Sequence, residues 1–243
     1  MTKKRAISVA LACILALNGV SCTLVYRGEG TIAEETEQSA SVGLSYIQKS
    51  DGTYEVKGVG RCTDTGIRIP DEYEGVAVTS IGGFAFWECA ELISVTIGEN
   101  VTRIGENAFH GCKQLTAVNL SDRVADIGDN AFSDCDRLVS VTLGSSLSRI
   151  GYQAFSDCES LTSVTIPDGV THIDSRAFSG CESLTSVTLS RNVTYMATGV
   201  FYRCKSLTDI YFTGTEEEWN AISKGNNWDA NTPTYTIHYN YTP

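Results

Sequence analysis

The chain has 243 residues, 42% of them hydrophobic and 19% charged, with a formal net charge of −11. That length suits one domain or two small ones, and abundant Gly, Ser and Thr favour short strands and tight turns over a helical bundle. An acidic surface repels phosphate backbones and anionic lipid, which argues against nucleic acid as a partner.

The first element is an export signal over residues 1–21. Lys3, Lys4 and Arg5 precede an apolar run from Ala6 to Leu17, too short to cross a bilayer, and small residues follow at Gly19 and Ser21. The competing reading, a buried first helix, has nothing downstream that needs it. Without this segment the net charge would be −14, because all three of its charges are basic. Two cleavage modes fit. Gly19 and Ser21 satisfy the small-x-small rule of ordinary signal peptidase. Cys22 after Gly-Val-Ser also resembles a bacterial lipobox, although Gly19 stands where an aliphatic residue is usual. In that mode Cys22 is the lipid-attachment residue, and several acyl chains give stable anchoring. Either mode puts the mature chain outside the cytoplasm, secreted or at the cell surface, with any membrane contact made through Cys22 alone. Residues 22–41 contain few large apolar side chains and four glutamates, and read as a flexible tether.

A cap follows over residues 42–78. Leu44 to Ile47 and Tyr54 to Val56 alternate in polarity, and Ser50-Asp51-Gly52 between them signals a hairpin. A repeat array then runs over residues 79–212. Isoleucines at 81, 104, 127, 150 and 173, completed by Met196, keep a step of 23. The same step relates Phe86, Phe109, Phe132, Phe155, Phe178 and Phe201. It also relates Cys89, Cys112, Cys135, Cys158, Cys181 and Cys204, and the leucine column from Leu92 to Leu207. Branched residues from Val95 to Ile210 form a further column. Such self-similarity marks a solenoid, in which one unit cannot bury its apolar face alone and stacking turns each column into a ladder. Alternation at Val95-Thr96-Ile97 gives a short strand, and Ala-Phe-x-x-Cys has helical spacing for about two turns. Gly82, Gly105, Gly128 and Gly151 are expected to let the chain turn sharply; Asp174 and Ala197 take that place later. Six units at about 4.8 Å per strand give an array on the order of 29 Å long.

At the far end, Thr215-Glu216-Glu217-Glu218 is a capping box opening a short helix with Trp219 and Ile222 inward. Thr234 to Tyr241 alternates as a last strand, and Trp219 and Trp228 read as core of a second cap over residues 213–243.

Units such as FSDCESLTSVTIPDGVTHIDSRAF (Phe155 to Phe178) resemble the BspA-like, or treponemal-type, leucine-rich repeat over residues 76–212. The flanks GRCTDTGIRIPDEYEGVAVTSIG and IYFTGTEEEWNAIS resemble that family's cap segments. The resemblance implies an α/β solenoid: a leucine-rich-repeat array of six 23-residue units with short parallel strands and short helical or 3₁₀ turns. A β-hairpin cap would close its N-terminus and an α+β cap its C-terminus. It further implies a bacterial surface or secreted protein, some relatives resembling adhesins that bind host matrix proteins or other cells.

The six ladder cysteines are expected to be buried free thiols serving as small hydrophobes, since parallel in-register side chains seldom reach disulfide torsions. Cys62 stands in the N-terminal cap with no obvious mate. No catalytic constellation, phosphate loop or metal-ligand spacing occurs, so the chain is expected to be neither an enzyme nor dependent on a cofactor or metal. Carboxylates such as Asp134, Asp157 and Glu159 recur with the repeat, as a solvated face would. The outward strand columns, Ser94 to Asp209 and Thr96 to Tyr211, are small and polar in their middle. Aromatic or histidine side chains of the kind that anchor interfaces stand at the ends: Trp87, His110, Tyr195, Tyr202 and Tyr211. Trp87 occupies a position that is Ser in units three to five; it either covers the end of the array or touches a partner. The expected function is a monomeric surface module for protein interaction or adhesion. Its partner would be a host matrix protein, a host cell or another bacterial surface protein. The alternatives are a structural spacer of the envelope and, behind it, an accessory domain of a surface enzyme system.

Overall fold

A computed structural model describes residues 41, 43–59 and 64–242, together with the backbone of 23–25 and 33–35. The signal segment, Cys22 and Cys62 lie outside the described residues. The chain divides into two units, Met1–Ala40 and Ser41–Pro243. In the first, inside the segment read as a tether, strands β1 (Thr23–Val25) and β2 (Ala33–Glu35) pair antiparallel.

The second unit is a stack of chain turns. A hairpin comes first, with β3 (Leu44–Gln48) antiparallel to β4 (Tyr54–Val59) as the alternation and the Asp51-Gly52 turn require. Then come β5 (Gly66–Arg68), β6 (Glu72–Tyr73) and β7 (Val76–Ile81). The array supplies two strands per turn. One series is β8 (Ser94–Thr96), β10 (Ala117–Asn119), β12 (Ser140–Thr142), β14 (Ser163–Ile166), β16 (Ser186–Leu189) and β18 (Asp209–Phe212). The interleaved series is β9 (Arg103–Ile104), β11 (Asp126–Ile127), β13 (Arg149–Ile150), β15 (His172–Ile173) and β17 (Tyr195–Met196). Helix α1 (Glu216–Ala221), β19 (Ser223–Lys224) and β20 (Thr236–His238) close the chain.

The first series, flanked by β5 and β20, makes an all-parallel eight-stranded sheet. The second, flanked by β7, β4 and β3 on one side and β19 on the other, makes a ten-stranded sheet that also includes β6. Registers such as Val164↔Val187 and Ile127↔Ile150 hold the 23-residue step. The isoleucine column is therefore a strand of its own, which the sequence pattern read only as a core position.

The remaining side of each turn is the Ala-Phe-x-x-Cys segment. Of the expected short helix or 3₁₀ turn, it forms the turns, closed by i to i+3 bonds such as Cys112 N–H to the Phe109 carbonyl at 3.2 Å. Two residues per repeat adopt the left-handed region, the Asn107/Asn130 column (φ 53° at both) and the Asp134/Asp157 column (φ 57° and 56°). A left-handed residue every few positions cannot belong to an α-helix. The segment still bonds turn to turn: the Phe109 N–H donates to the Ala131 carbonyl at 2.7 Å and the Phe132 N–H to Ala154 at 2.8 Å. Each coil is thus tied to the next on all three sides. Gly105 serves closeness of stacking, since a Cβ there would stand 2.5 Å from the Gly83 nitrogen, and its backbone is not left-handed. The Gly105 carbonyl also accepts from the Ala108 N–H at 3.3 Å, so the column stands at the first position of a turn.

The core is a set of ladders. Phe86 through Phe201 are fully buried and stack face to face, with centroids 5.0 Å apart at the first pair and 5.8 Å at the last. Each such ring contributes roughly 2 kcal/mol from burial. Hydroxyls at the entry to the strands bond across turns, Thr185 Oγ1 to the Thr162 carbonyl at 3.0 Å for example, so the abundance of Ser and Thr has a structural use.

Five of the six ladder cysteines, Cys112, Cys135, Cys158, Cys181 and Cys204, are free and buried, as expected. Each thiol donates to the carbonyl of the phenylalanine one turn back, Cys158 Sγ to Phe132 at 3.1 Å. Cys89 departs from the expectation: it is disulfide-bonded. It heads the column, so no earlier array turn offers it a phenylalanine carbonyl.

The C-terminal cap repeats the stacking without the repeat sequence. The Phe201 N–H donates to the Trp228 carbonyl at 2.7 Å, and β18 pairs with β20 through Tyr211↔His238. Thr215 and Glu218 form the reciprocal capping box, and Trp219 and Ile222 are buried. Among the described residues, no helix is long and apolar enough to cross a membrane.

Candidate interaction surface

The turn side of the solenoid carries the most conspicuous exposed side chains. In the first turn Phe84 and Trp87 are 51% and 49% exposed, their rings edge to face with centroids 6.2 Å apart. Phe84 sits in the left-handed column at φ 60°. Later turns place Asn107, Asn130, Gln153, Arg176 and Gly199 there. A bulky residue in this region costs about 1–2 kcal/mol, whereas Asn adopts it readily. The Trp87 column continues as His110, Ser133, Ser156, Ser179 and Tyr202.

The aromatic pair is bordered by carboxylates. The Phe84 N–H donates to the Glu106 carbonyl at 2.9 Å, which holds Glu106 beside the pair, and Glu88 follows Trp87 directly. Glu88, Glu91 and Glu106 form no ion pair among the described residues. A groove of about 240 Å³ includes Glu106 in its lining, with Glu55, Ile81, Gly83, Arg103 and Gly105. Its single cation, Arg103, is held by Asp126 at 3.0 Å. That contact begins a surface network in which Arg149 meets Asp126, Asp129 and Asp174 at 3.2, 2.7 and 3.4 Å.

The other sequence candidates do not join this cluster. His110 neighbours Trp87 in its column, and its Nδ1 lies 3.5 Å from Asp134 Oδ2 without making a hydrogen bond. Tyr202 is on the same side but in the last turn. Tyr195 stands on the ten-stranded sheet, 37% exposed, with its ring 5.9 Å from that of His172. Tyr211 stands on the eight-stranded sheet, stacked on His238 at 4.6 Å and against Tyr241 at 4.7 Å. His238 Nε2 lies 2.7 Å from Asp209 Oδ1, and the bonds from His238 and Thr208 hold the Asp209 carboxyl below its ordinary value. The candidates therefore occupy three sides of the coil.

Phe84, Tyr241 and the Asp209–His238 pair were not singled out from the sequence. Phe84 could have been, because it puts an apolar residue into a polar column. Tyr241 and His238 could not, since the cap does not keep the 23-residue step. A further trio, Tyr46, Tyr54 and Tyr73, packs on the N-terminal cap, Tyr46 and Tyr73 stacked at 4.0 Å.

Burial pushes the Cys112 and Cys204 thiols up to about 12, and those of Cys135, Cys158 and Cys181 well above the ordinary range. They stay protonated and are poor nucleophiles. Among the described residues, no group of three or more His, Cys, Asp or Glu side chains is placed to hold a metal.

Parallel in-register coils and a 23-residue step define a solenoid of the leucine-rich-repeat class. The chain belongs to the BspA type leucine rich repeat region family, whose model matches residues 79–208 in six copies, more than half of the chain. Among solved structures it is similar to the T. pallidum leucine rich repeat protein TpLRR, at 27% identity and a TM-score of 0.70, covering 79% of this chain and 90% of that one. A leucine-rich repeat protein from Bacteroides capillosus is 26% identical with a TM-score of 0.41, over 61% of this chain and 96% of that one. A leucine rich cell surface protein from Faecalibacterium prausnitzii is 18% identical with a TM-score of 0.34, over 76% and 97%. No curated protein matches the chain. The scaffold is that of surface-type proteins whose repeat domains generally mediate protein interaction.

Proposed function

We propose that the chain is an exported, non-enzymatic protein-interaction module of a bacterial surface, acting as a monomer on a host matrix protein, a host cell or another surface protein. The observation that carries this reading is the exposed Phe84–Trp87 pair. The array keeps this column polar in most later turns, and large aromatic side chains are the usual anchors of interfaces. Export rests on the Lys3-Lys4-Arg5 signal pattern, and Cys22 is the residue that would take a lipid. Fractionation of wild type against Cys22→Ala decides between a lipid anchor and free release.

The direct test is capture of purified matrix proteins and whole cells by the mature wild-type chain and by Trp87→Ala and Tyr211→Ala variants. Saturable capture that weakens in Trp87→Ala is expected. Failure of the wild type to capture anything saturably would leave the envelope spacer as the function.

A further inference from the structure

We propose that the first turn is a docking site for a protein segment presenting a lysine or arginine next to an apolar side chain. The groove between Glu55 and Glu106 would take the cation, and the exposed faces of Phe84 and Trp87 the apolar neighbour. The inference rests on the interaction reading above and names the chemistry of its partner.

Two features that are unrelated in origin meet at this place. The first is aromatic exposure sustained against local preference. Phe84 keeps a left-handed backbone at φ 60°, where the two following turns carry Asn107 and Asn130. Strain held at an exposed aromatic points to use of that side chain. The second is uncompensated negative charge. Glu88, Glu91 and Glu106 lack ion pairs among the described residues, and Arg103 is already held by Asp126 at 3.0 Å. Glu55 is reached by Lys57 at 3.4 Å and by the Ser80 hydroxyl at 3.3 Å, both from its own rim. Glu55 and Glu106 line the groove together with Gly83, Gly105 and Ile81. Gly83 precedes Phe84 in the chain, and the Phe84 N–H donates to the Glu106 carbonyl at 2.9 Å, which places Phe84 next to the groove's lining.

Charge complementarity selects the occupant. A chain with net charge −11 attracts a basic segment and repels an acidic one. A guanidinium or ammonium at the groove gains from both carboxylates. An uncharged apolar segment would use the rings and leave the carboxylates idle. An anionic glycan or acidic peptide would meet repulsion from all four glutamates.

The experiment uses the full secreted chain and three fluorescein-labelled nine-residue peptides of Gly and Ser. The first carries one Arg-Leu and one Lys-Phe pair, the second has Glu for Arg and Lys, and the third has Ala for Leu and Phe. Polarisation at low and moderate salt is expected to show the first peptide binding at least tenfold more tightly than either control, with the preference shrinking as salt rises. Trp87→Ala and Glu106→Gln should each weaken it fivefold or more, and Tyr211→Ala should leave it unchanged. Phe84→Asn guards against a trivial folding effect, because it should raise the melting temperature and still weaken binding. Equal binding of the charge-reversed peptide, absence of binding, or loss in Tyr211→Ala alone overturns the proposal. If a captured partner is insensitive to Trp87→Ala and Glu106→Gln, the interaction reading survives and this docking site does not.

Discussion

Trp87 and Trp219 stand near opposite ends of one solenoid and have opposite environments. Trp87 is 49% exposed on the first turn, beside an equally exposed Phe84. Trp219 is 5% exposed, edge to face with Phe212 at 5.4 Å and Trp228 at 6.1 Å, on the inward face of a helix opened by a complete capping box. Both ends of a ladder of buried phenylalanines need closing. At the C-terminus aromatic side chains do the closing. At the N-terminus the hairpin β3–β4, β5 and β7 close the sheets, and the first-turn aromatics are left to water. Residue type alone therefore says little at an end of the array; what matters is whether the neighbouring segment turns inward over it.

The largest effect expected from breaking this contrast is at Trp219. Trp219→Ala removes a ring that bridges Phe212 and Trp228, and should cost about 3–5 kcal/mol. Urea unfolding measures it. A loss near zero would mean that the C-terminal cap does not share the cooperativity of the array.

The next effect belongs to the N-terminal end. Cys89 is the one ladder cysteine held in a disulfide, while the other five are free. Reduction is expected to destabilise the wild type by about 2–4 kcal/mol. Cys89→Ala should be insensitive to reductant. Alkylation in denaturant without reductant, followed by peptide mapping, should label Cys112, Cys135, Cys158, Cys181 and Cys204 and spare Cys89. Labelling of all six would restore a uniform ladder of thiols.

The array was legible because a solenoid writes its structure into the sequence as a period. The Phe, Cys, Leu and Val columns map onto buried ladders one for one, and the capping box at Thr215 and Glu218 formed as its spacing requires. Local conformation was less legible. Ala-Phe-x-x-Cys has helical spacing, yet the left-handed residues before and within it, Asn107 and Gly111 for instance, make it a pair of turns. Contact between turns also decides conformation there, and no single unit records it. The two-residue strands at the isoleucine column were missed because they are too short to alternate. The candidate surface was half legible: Trp87 broke its column and was noticed, Phe84 broke its own and was not. The Asp209–His238 pair was hidden because the cap reaches β18 at an interval of its own, Tyr211 pairing with His238 27 residues on.

The smallest expected effect sharpens the contrast most. Trp87→Ala deletes the same side chain as Trp219→Ala, but from a ring half in water whose nearest ring partner, Phe84, is itself half exposed. Surface substitutions of this kind stay within about 0.5 kcal/mol of wild type. Measured side by side in urea, the two variants should differ several-fold in cost although the lost atoms are identical. A Trp87→Ala loss comparable to that of Trp219→Ala would make Trp87 a lid on the end of the array, and would remove the stability argument for keeping it exposed to a partner. Near-neutral stability would leave the ring free of structural duty, so that any binding lost with it reports on contact and not on folding.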